Sequence, residues 1–357
     1  MAATTNAKKA PAKKTPAKKA TSKAKDDRGY GRQGKVPSAE PKGAPAGGWK
    51  LIQTDDPLPG VRRITLNRPE KRNALNHVLR GEIMRALVEG DDDDNVKVMV
   101  IRGNGPTFCA GYELGGGNAG MELPWHTAGN MGHWPRHVTD GWTRIWDLQK
   151  PVIGQIHGYC LAGGSELATC CDLVYMAEDA KMGYPAVRFG VADMHFHPWT
   201  VGMRAAMEMM LTGRSMSGIE CVERGWANAA YPIEELEARV LEVAENIAKL
   251  PPDLVQLNKR VVHRQMEVMG IRTGIRIGTE LCALGTQLPS LMEFVETSTT
   301  KGLTAALQER DAPFGDYRTS HPGNQPTAPA ATQPAVKKAA AKKGPAKKAA
   351  AKMTAAK

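Results

Sequence analysis

The segment Gly163-Gly-Ser-Glu166 holds the residue types and spacing that do chemistry on a carbonyl. The apolar run 151–156 reads as a buried strand. It breaks at Gly158, and the chain turns through Gly163-Gly164 into an apolar segment, Leu167 to Cys171, that reads as a helix. Glycine permits a tight turn and a close approach of backbone to ligand. The first N–H groups of the helix have no partner within it and carry partial positive charge. The N–H of Gly163 is thus placed to donate to an oxyanion, with the Glu166 carboxylate one helical step away. A second turn completes the pattern. The run Val96 to Arg102 reads as a strand, passes Gly103-Asn-Gly105 and reaches Phe108-Cys-Ala-Gly-Tyr-Glu-Leu114, which offers the N–H of Tyr112. Two N–H donors from separate turns make an oxyanion hole, and Glu166 supplies an acid or base beside it. The plain alternatives are two ordinary tight turns and a glutamate that caps its own helix; its place after Gly163-Gly164 favours catalysis.

Further segments carry a family resemblance: Leu66-Asn-Arg-Pro-Glu-Lys-Arg-Asn-Ala-Leu75, the 108–114 turn, Lys150-Pro-Val-Ile153, His157 to Ala168, Cys171-Asp-Leu-Val174, Met182-Gly-Tyr-Pro185 and Leu211-Thr-Gly213. In this order they resemble the crotonase (enoyl-CoA hydratase/isomerase) superfamily from about Trp49 to Tyr317. The resemblance implies an α/β fold, a spiral of ββα units with a helical C-terminal region that forms trimers and often hexamers. It implies an acyl-CoA thioester as substrate, its oxygen held by Tyr112 and Gly163, and no cofactor beyond the CoA that the substrate carries. The adenine and phosphates of CoA fall near Lys71, Arg72 and Ala74, with Ala110 and Gly111 beside them. Exposed basic residues at a helix start are the plain reading of Lys71 and Arg72.

A typical hydratase of this family uses two glutamates on one water. Glu166 occupies the first position, but the second, after Gly183-Tyr-Pro185, is Ala186. One carboxylate can move a proton between carbons or deprotonate a water; doing that and also protonating the α-carbon calls for help. The next segment offers Asp193, His195 and His197 where the family usually has small residues. A histidine near neutral pKa is a candidate acid, with Asp193 to orient it; packing at a subunit contact is the alternative. Trp125, His126, His133 and Trp134, in an aperiodic stretch at 115–135, are candidates to line the acyl pocket. Ser165 reads as structural and Glu113 as solvent-facing.

These motifs sit on a chain of divided charge. Residues 1–48 hold 12 Lys and Arg against 3 acids, and residues 320–357 hold 8 Lys and no acid, so the tails carry +9 and +8 and residues 49–319 carry −6. Tails of Ala, Lys and Pro have too little to bury to offset ordering, and are expected to be disordered. They resemble the tails of linker histones and bacterial histone-like proteins. Sequence-blind binding to nucleic acid or another polyanion is one reading and a pair of solvated tails the other; no aromatic interleaves the lysines for base stacking. The expected division is a basic tail at 1–48, a core at 49–250, a helical oligomerisation region at 251–319 and a basic tail at 320–357. No secretory leader, transit peptide or run of ~20 apolar residues is visible. Six cysteines without Cys-x-x-Cys spacing read as reduced thiols, hence a cytoplasmic protein with no metal site. The acid run 91–94 lacks the glycine and distal glutamate of a calcium loop.

Between the tails, 49–54 and 61–66 are expected as a hairpin across 55–60, and 74–89 as a helix carrying Leu75, Leu79, Ile83 and Leu87 on one face. Further expectations are a helix over 136–149, a strand over 173–177 and helices over 233–250, 252–269 and 301–310. The functional expectation is a hydro-lyase acting on an α,β-unsaturated CoA thioester. An enoyl-CoA isomerase, a thioester or C–C hydrolase using Asp193 and His195, and a CoA-binding protein tethered by its tails remain as alternatives.

Overall fold

A computed structural model of the chain describes residues 48–114, 141–190 and 196–315. The N-terminal hairpin forms from β1 (Ile52–Leu58) and β2 (Val61–Leu66), but its turn is tighter than the sequence suggests. β1 shifts register between Asp55 and Leu58, so Leu58 lies opposite Val61 across Pro59-Gly60, and Gly60 takes the left-handed φ of 79° that such a turn requires. β2 then begins a parallel run with β3 (Val98–Gly103), β4 (Val152–Ile156), β6 (Leu173–Ala177) and β9 (Ala229–Tyr231). The six strands lie in the order β1-β2-β3-β4-β6-β9, and β5 (Tyr159–Leu161), β7 (Lys181–Gly183) and β8 (Ser215–Ser217) form a second sheet in the order β5-β7-β8. β4 is buried throughout, as expected of a central parallel strand with both faces covered.

Helix α1 spans His77–Asp92, three residues later than its apolar spacing suggests. The Asn76 side chain caps it by accepting the Leu79 N–H at 2.8 Å, while Leu75 is drawn into a parallel bridge with Tyr112. Leu79, Ile83 and Leu87 are fully buried against the sheet. Five helices follow: α2 (Gly163–Thr169), α3 (His197–Thr200), α4 (Gly202–Thr212), α5 (Gly218–Glu223) and α6 (Ile233–Ala248), which buries Leu236, Val240 and Ala244. The expected helix over 136–149 is corrected in its described part to a 3₁₀ segment, Trp142–Asp147. Three residues per turn stack Trp142 and Ile145 toward the core, which an α-helix would separate by about 60°.

The C-terminal region is helical throughout: α7 (Pro252–Val268), α8 (Ile271–Gly285), α9 (Pro289–Lys301) and α10 (Leu303–Asp311). Two of its polar attachments are largely buried. Asp172, at the foot of β6, accepts the Val152 N–H at 2.7 Å, Lys259 Nζ at 2.9 Å and His263 Nε2 at 2.6 Å, and Lys259 also donates to the carbonyls of Ile145 and Lys150. Asp311 closes the other end on the buried Arg188 at 3.4 Å. The result is an α/β fold with a parallel sheet and a helical C-terminal region.

Candidate active site

The first turn of the site is held by side chains that neutralise one another. Asn73, fully buried, accepts the Arg68 N–H at 2.8 Å and donates to the carbonyls of Asn104 and Thr107 at 3.0 and 2.8 Å. Arg68 grips Glu113 with two bonds, at 2.6 and 3.0 Å, and reaches the Ala74 carbonyl at 3.0 Å. Glu113 is therefore a structural partner of Arg68 rather than a solvent-facing residue. The Leu75 N–H bonds to Gly111 O at 2.8 Å and the Glu113 N–H to Leu75 O at 3.1 Å, so the Tyr112 N–H between them turns to the opposite edge.

That edge meets the second turn. Gly111, at φ 103°, lies so close to Ala162-Gly163 that a Cβ there would stand 3.0 Å from the Ala162 Cβ and 3.5 Å from the Gly163 nitrogen. The Leu161 N–H bonds Cys109 O at 3.0 Å, and Ala162 bonds Gly183 O at 2.9 Å. Ala162 itself has φ 46° and ψ −120°, a strained conformation for a residue with a side chain, and it aims the start of α2. The two turns expected from sequence are thus pressed together. Cys109, between them, is buried and its thiol is pushed up to about 12, which keeps it neutral and removes it as a nucleophile.

Glu166 is fully buried on the first turn of α2, and its Oε2 accepts a short hydrogen bond from the Tyr112 hydroxyl. Trp142 donates its indole N–H to the same hydroxyl at 3.0 Å. The Tyr112 ring lies across Gly163, where a Cβ would come within 2.5–2.8 Å of it. Burial first, and then the Glu166 carboxylate, hold the Tyr112 hydroxyl well above its usual range, so it stays protonated and donates. Arg80 of α1 is also buried, within electrostatic reach of this group. Burial lowers its guanidinium to about 9, and Tyr112 and Glu166 act in the opposite direction.

The other flank is apolar. Tyr184, Ala186, Phe189, Cys282 and Leu291 form a buried cluster that Leu114 and Ala162 also touch. Ala186 stands in it with no polar group to offer, and among the described residues no cluster of metal-binding side chains occurs. His197, fully buried, approaches the Ser165 hydroxyl at 3.5 Å and packs edge-on to Tyr184, while Ser165 donates to Ala162 O at 2.7 Å.

Of the site residues expected from sequence, Tyr112, Gly163 and Glu166 come together, with Ala110 and Gly111 alongside. Arg72 is half-buried and Lys71 exposed on the turn before Ala74, and the Ala110 N–H bonds Arg72 O at 3.0 Å. Asp193, His195, Trp125, His126, His133 and Trp134 lie outside the described residues. Sequence reasoning missed the Tyr112 side chain, Trp142 and Arg80. Arg80 left a legible signal, a charge beside Leu79 and one turn before Met84 on the buried face of a helix.

The topology and paired turns define a class of CoA-thioester enzymes whose solved members superpose on the chain. An enoyl-CoA hydratase/isomerase from Xanthobacter autotrophicus Py2 does so with a TM-score of 0.67 at 34% identity, covering 74% of this chain and 99% of that one. An enoyl-CoA hydratase from Mycobacterium smegmatis gives a TM-score of 0.68 at 28% identity, covering 75% and 96%. Residues 58–316 match the family model for enoyl-CoA hydratase/isomerase, and the chain belongs to that family. Among relatives, the 2,3-dehydroadipyl-CoA hydratase of Escherichia coli K12 is 29% identical over 258 residues, 71% of this chain and 94% of its own. The mevalonyl-coenzyme A hydratase of Aspergillus fumigatus is 31% identical over 221 residues, 60% of this chain and 79% of its own.

Proposed function

We propose that this acyl-CoA enzyme of the enoyl-CoA hydratase type adds water to an α,β-unsaturated CoA thioester, and removes it in reverse, with Glu166 as its acid/base and the Tyr112 hydroxyl orienting the Glu166 carboxylate. The observation that carries the reading is the buried Glu166 carboxylate, three residues after Gly163 and hydrogen-bonded by Tyr112. The thioester oxygen accepts the N–H groups of Tyr112 and Gly163. Glu166 takes a proton from water as the water oxygen bonds to C3, and the C2=C3 electron pair moves toward the thioester to give an enolate. The two N–H groups stabilise that charge without reorganising. Protonated Glu166 then returns its proton to C2, which completes the addition and restores the carboxylate. Tyr112 orients the carboxylate throughout, fixed in turn by Trp142.

Ala186 favours a second reading, isomerisation, in which Glu166 moves a proton from C4 to C2 and needs no water. Mass spectrometry in ¹⁸O-labelled water, on crotonyl-CoA and a panel of branched and cyclic enoyl-CoAs, separates the two. Gain of one labelled water supports hydration. A moved double bond without added oxygen supports isomerisation, and free CoA supports hydrolysis.

Around this centre, Lys71, Arg72 and Ala74, with Ala110 and Gly111, are proposed to take the CoA nucleotide. Exposed apolar side chains on α4 (Met203, Met207, Leu211) and on α7 and α8 (Leu257, Val261, Leu281, Leu284) support assembly into a trimer or a pair of trimers, which light scattering would test. The proposed division into a core at 49–250 and a helical region at 251–319 follows the same surfaces. Cytoplasmic location is proposed on six buried free thiols; among the described residues, no helix is long and apolar enough to cross a membrane. The Lys-rich tails are proposed to bind nucleic acid or another polyanion. Equal duplex affinity of the full chain and of residues 49–319 across a salt series would sink that idea.

A further inference from the structure

Arg80 sits one helical turn past the Asn76 cap of α1, and Leu75, just before that cap, is bridged to Tyr112. The first turn of α1 therefore opens onto the Tyr112–Glu166 pair. Arg80 is 2% exposed, and neither its Nε nor its Nη2 has a hydrogen-bond partner. Other inward arginines of this fold are neutralised: Arg68 by Glu113, and Arg188 by Asp311. A buried guanidinium is strongly unfavourable unless its charge and donors are matched, and it is well shaped for two parallel bonds to a carboxylate. The groups that act on its charge are Glu166 and Tyr112, and Glu166 is already engaged by the Tyr112 hydroxyl.

Glu166 balances its charge, but the Nε and Nη2 donors still lack an acceptor, and a carboxylate on the ligand would supply one to each. The CoA phosphates belong at the Lys71–Arg72 turn, and the thioester oxygen at the two N–H groups, so the part of the substrate that reaches Arg80 is the acyl chain. We propose that Arg80 is a subsite for a carboxylate on the acyl group, and that the substrate class is a short dicarboxylic enoyl-CoA. The chain must be short because Arg80 shares its surroundings with the group that works on C2 and C3, which places the free carboxylate only a few bonds beyond them. Arg80 also offsets the repulsion that such a carboxylate meets from Glu166. The inference rests on the reading of Glu166 as the acid/base of an acyl-CoA enzyme.

Saturated half-thioesters test it without turnover. Calorimetric titration of the full chain compares glutaryl-CoA and adipyl-CoA with butyryl-CoA and hexanoyl-CoA. The expected result is about 10-fold or greater preference for the dicarboxylic ligands, in line with a charge-assisted pair. Arg80→Met should erase the preference, and Arg80→Lys should keep part of it. Equal affinities in the unaltered enzyme would overturn the proposal without reference to any variant, as would a preference that survives in Arg80→Met. Hydration of crotonyl-CoA in labelled water with no dicarboxylic preference would leave the hydratase reading standing and remove this one. Dicarboxylic preference without labelled-water gain on a matching dicarboxylic enoyl-CoA would do the reverse.

Discussion

Glu166 and Ala186 stand on neighbouring segments that converge at Ala162, yet their surroundings are opposite. Around Glu166 are a phenol, an indole N–H and a guanidinium, all buried. Around Ala186 are Tyr184, Phe189 and Leu291, packed as a small apolar core. A catalytic carboxylate is costly to bury, and it is tolerated where donors surround it. The cluster around Ala186 is mostly apolar apart from the Tyr184 phenol and the Cys282 thiol, so holding a second carboxylate there in charged form would be costly. The difference teaches that buried polar groups gather at Glu166, as its proposed acid/base role requires, while the cluster around Ala186 is mainly apolar.

That contrast can be broken most sharply at Glu166. Glu166→Gln should lower kcat by about 10³-fold, within the range for loss of a general acid/base. Loss of less than about tenfold would mean that the apolar flank hides another acid. Next comes Gly163→Ala. Its Cβ would meet the Tyr112 ring at 2.5–2.8 Å and displace an oxyanion donor, with about 10²-fold loss in kcat and little gain in KM. Tyr112→Phe keeps the N–H and removes the hydroxyl, so a fall of roughly 10- to 100-fold in kcat would assign work to the phenol itself; unchanged kcat would return Tyr112 to a backbone role.

A smaller, graded effect follows from pH. Arg80 has its pKa lowered to about 9 by burial, so it is charged below that pH and loses charge above it. Any dicarboxylic preference should be full near neutrality and fade about tenfold per unit above 9, read by calorimetry across a pH series. For folding the sign is the other way. Between about 9 and 12.5 the unfolded chain keeps a proton that the native state has lost, so this group favours the native state increasingly as pH rises through that window. The smallest change is expected from Ala186→Glu. A buried acid among Tyr184, Phe189 and Leu291 should cost about 1–3 kcal/mol of stability, seen as a lower Tm, and should raise the ratio of hydration to isomerisation if its carboxylate reaches the water.

The local elements that bear the site were readable because their signals are local. Strand β6 occupies the expected residues 173–177, and the glycines before α2 mark its turn. Errors arose where a tertiary contact outcompeted a local pattern. Ala74 and Leu75 fit the helical spacing of α1, but Leu75 pairs with Tyr112 and the Asn76 cap moves the helix start. Glu113 looked solvent-facing because its partner, Arg68, lies 45 residues away in sequence.

What the sequence alone determined is five of the nine described strands (β1, β2, β3, β4 and β6) and the turns that carry the Tyr112 and Gly163 N–H groups, with the Glu166 carboxylate one helical step beyond; the family resemblance added the absent acid at 186. Each depends on neighbouring residues: glycines that allow tight turns, apolar runs that must be covered, and motifs in register. What only the tertiary structure decided is the company Glu166 keeps. Arg80, Tyr112 and Trp142 are separated by 32 and 30 residues in the chain, and no periodicity joins them. Their meeting follows from the long-range Leu75–Tyr112 bridge and from the place that the sheet and helices, which must be buried together, give the 3₁₀ turn at Trp142.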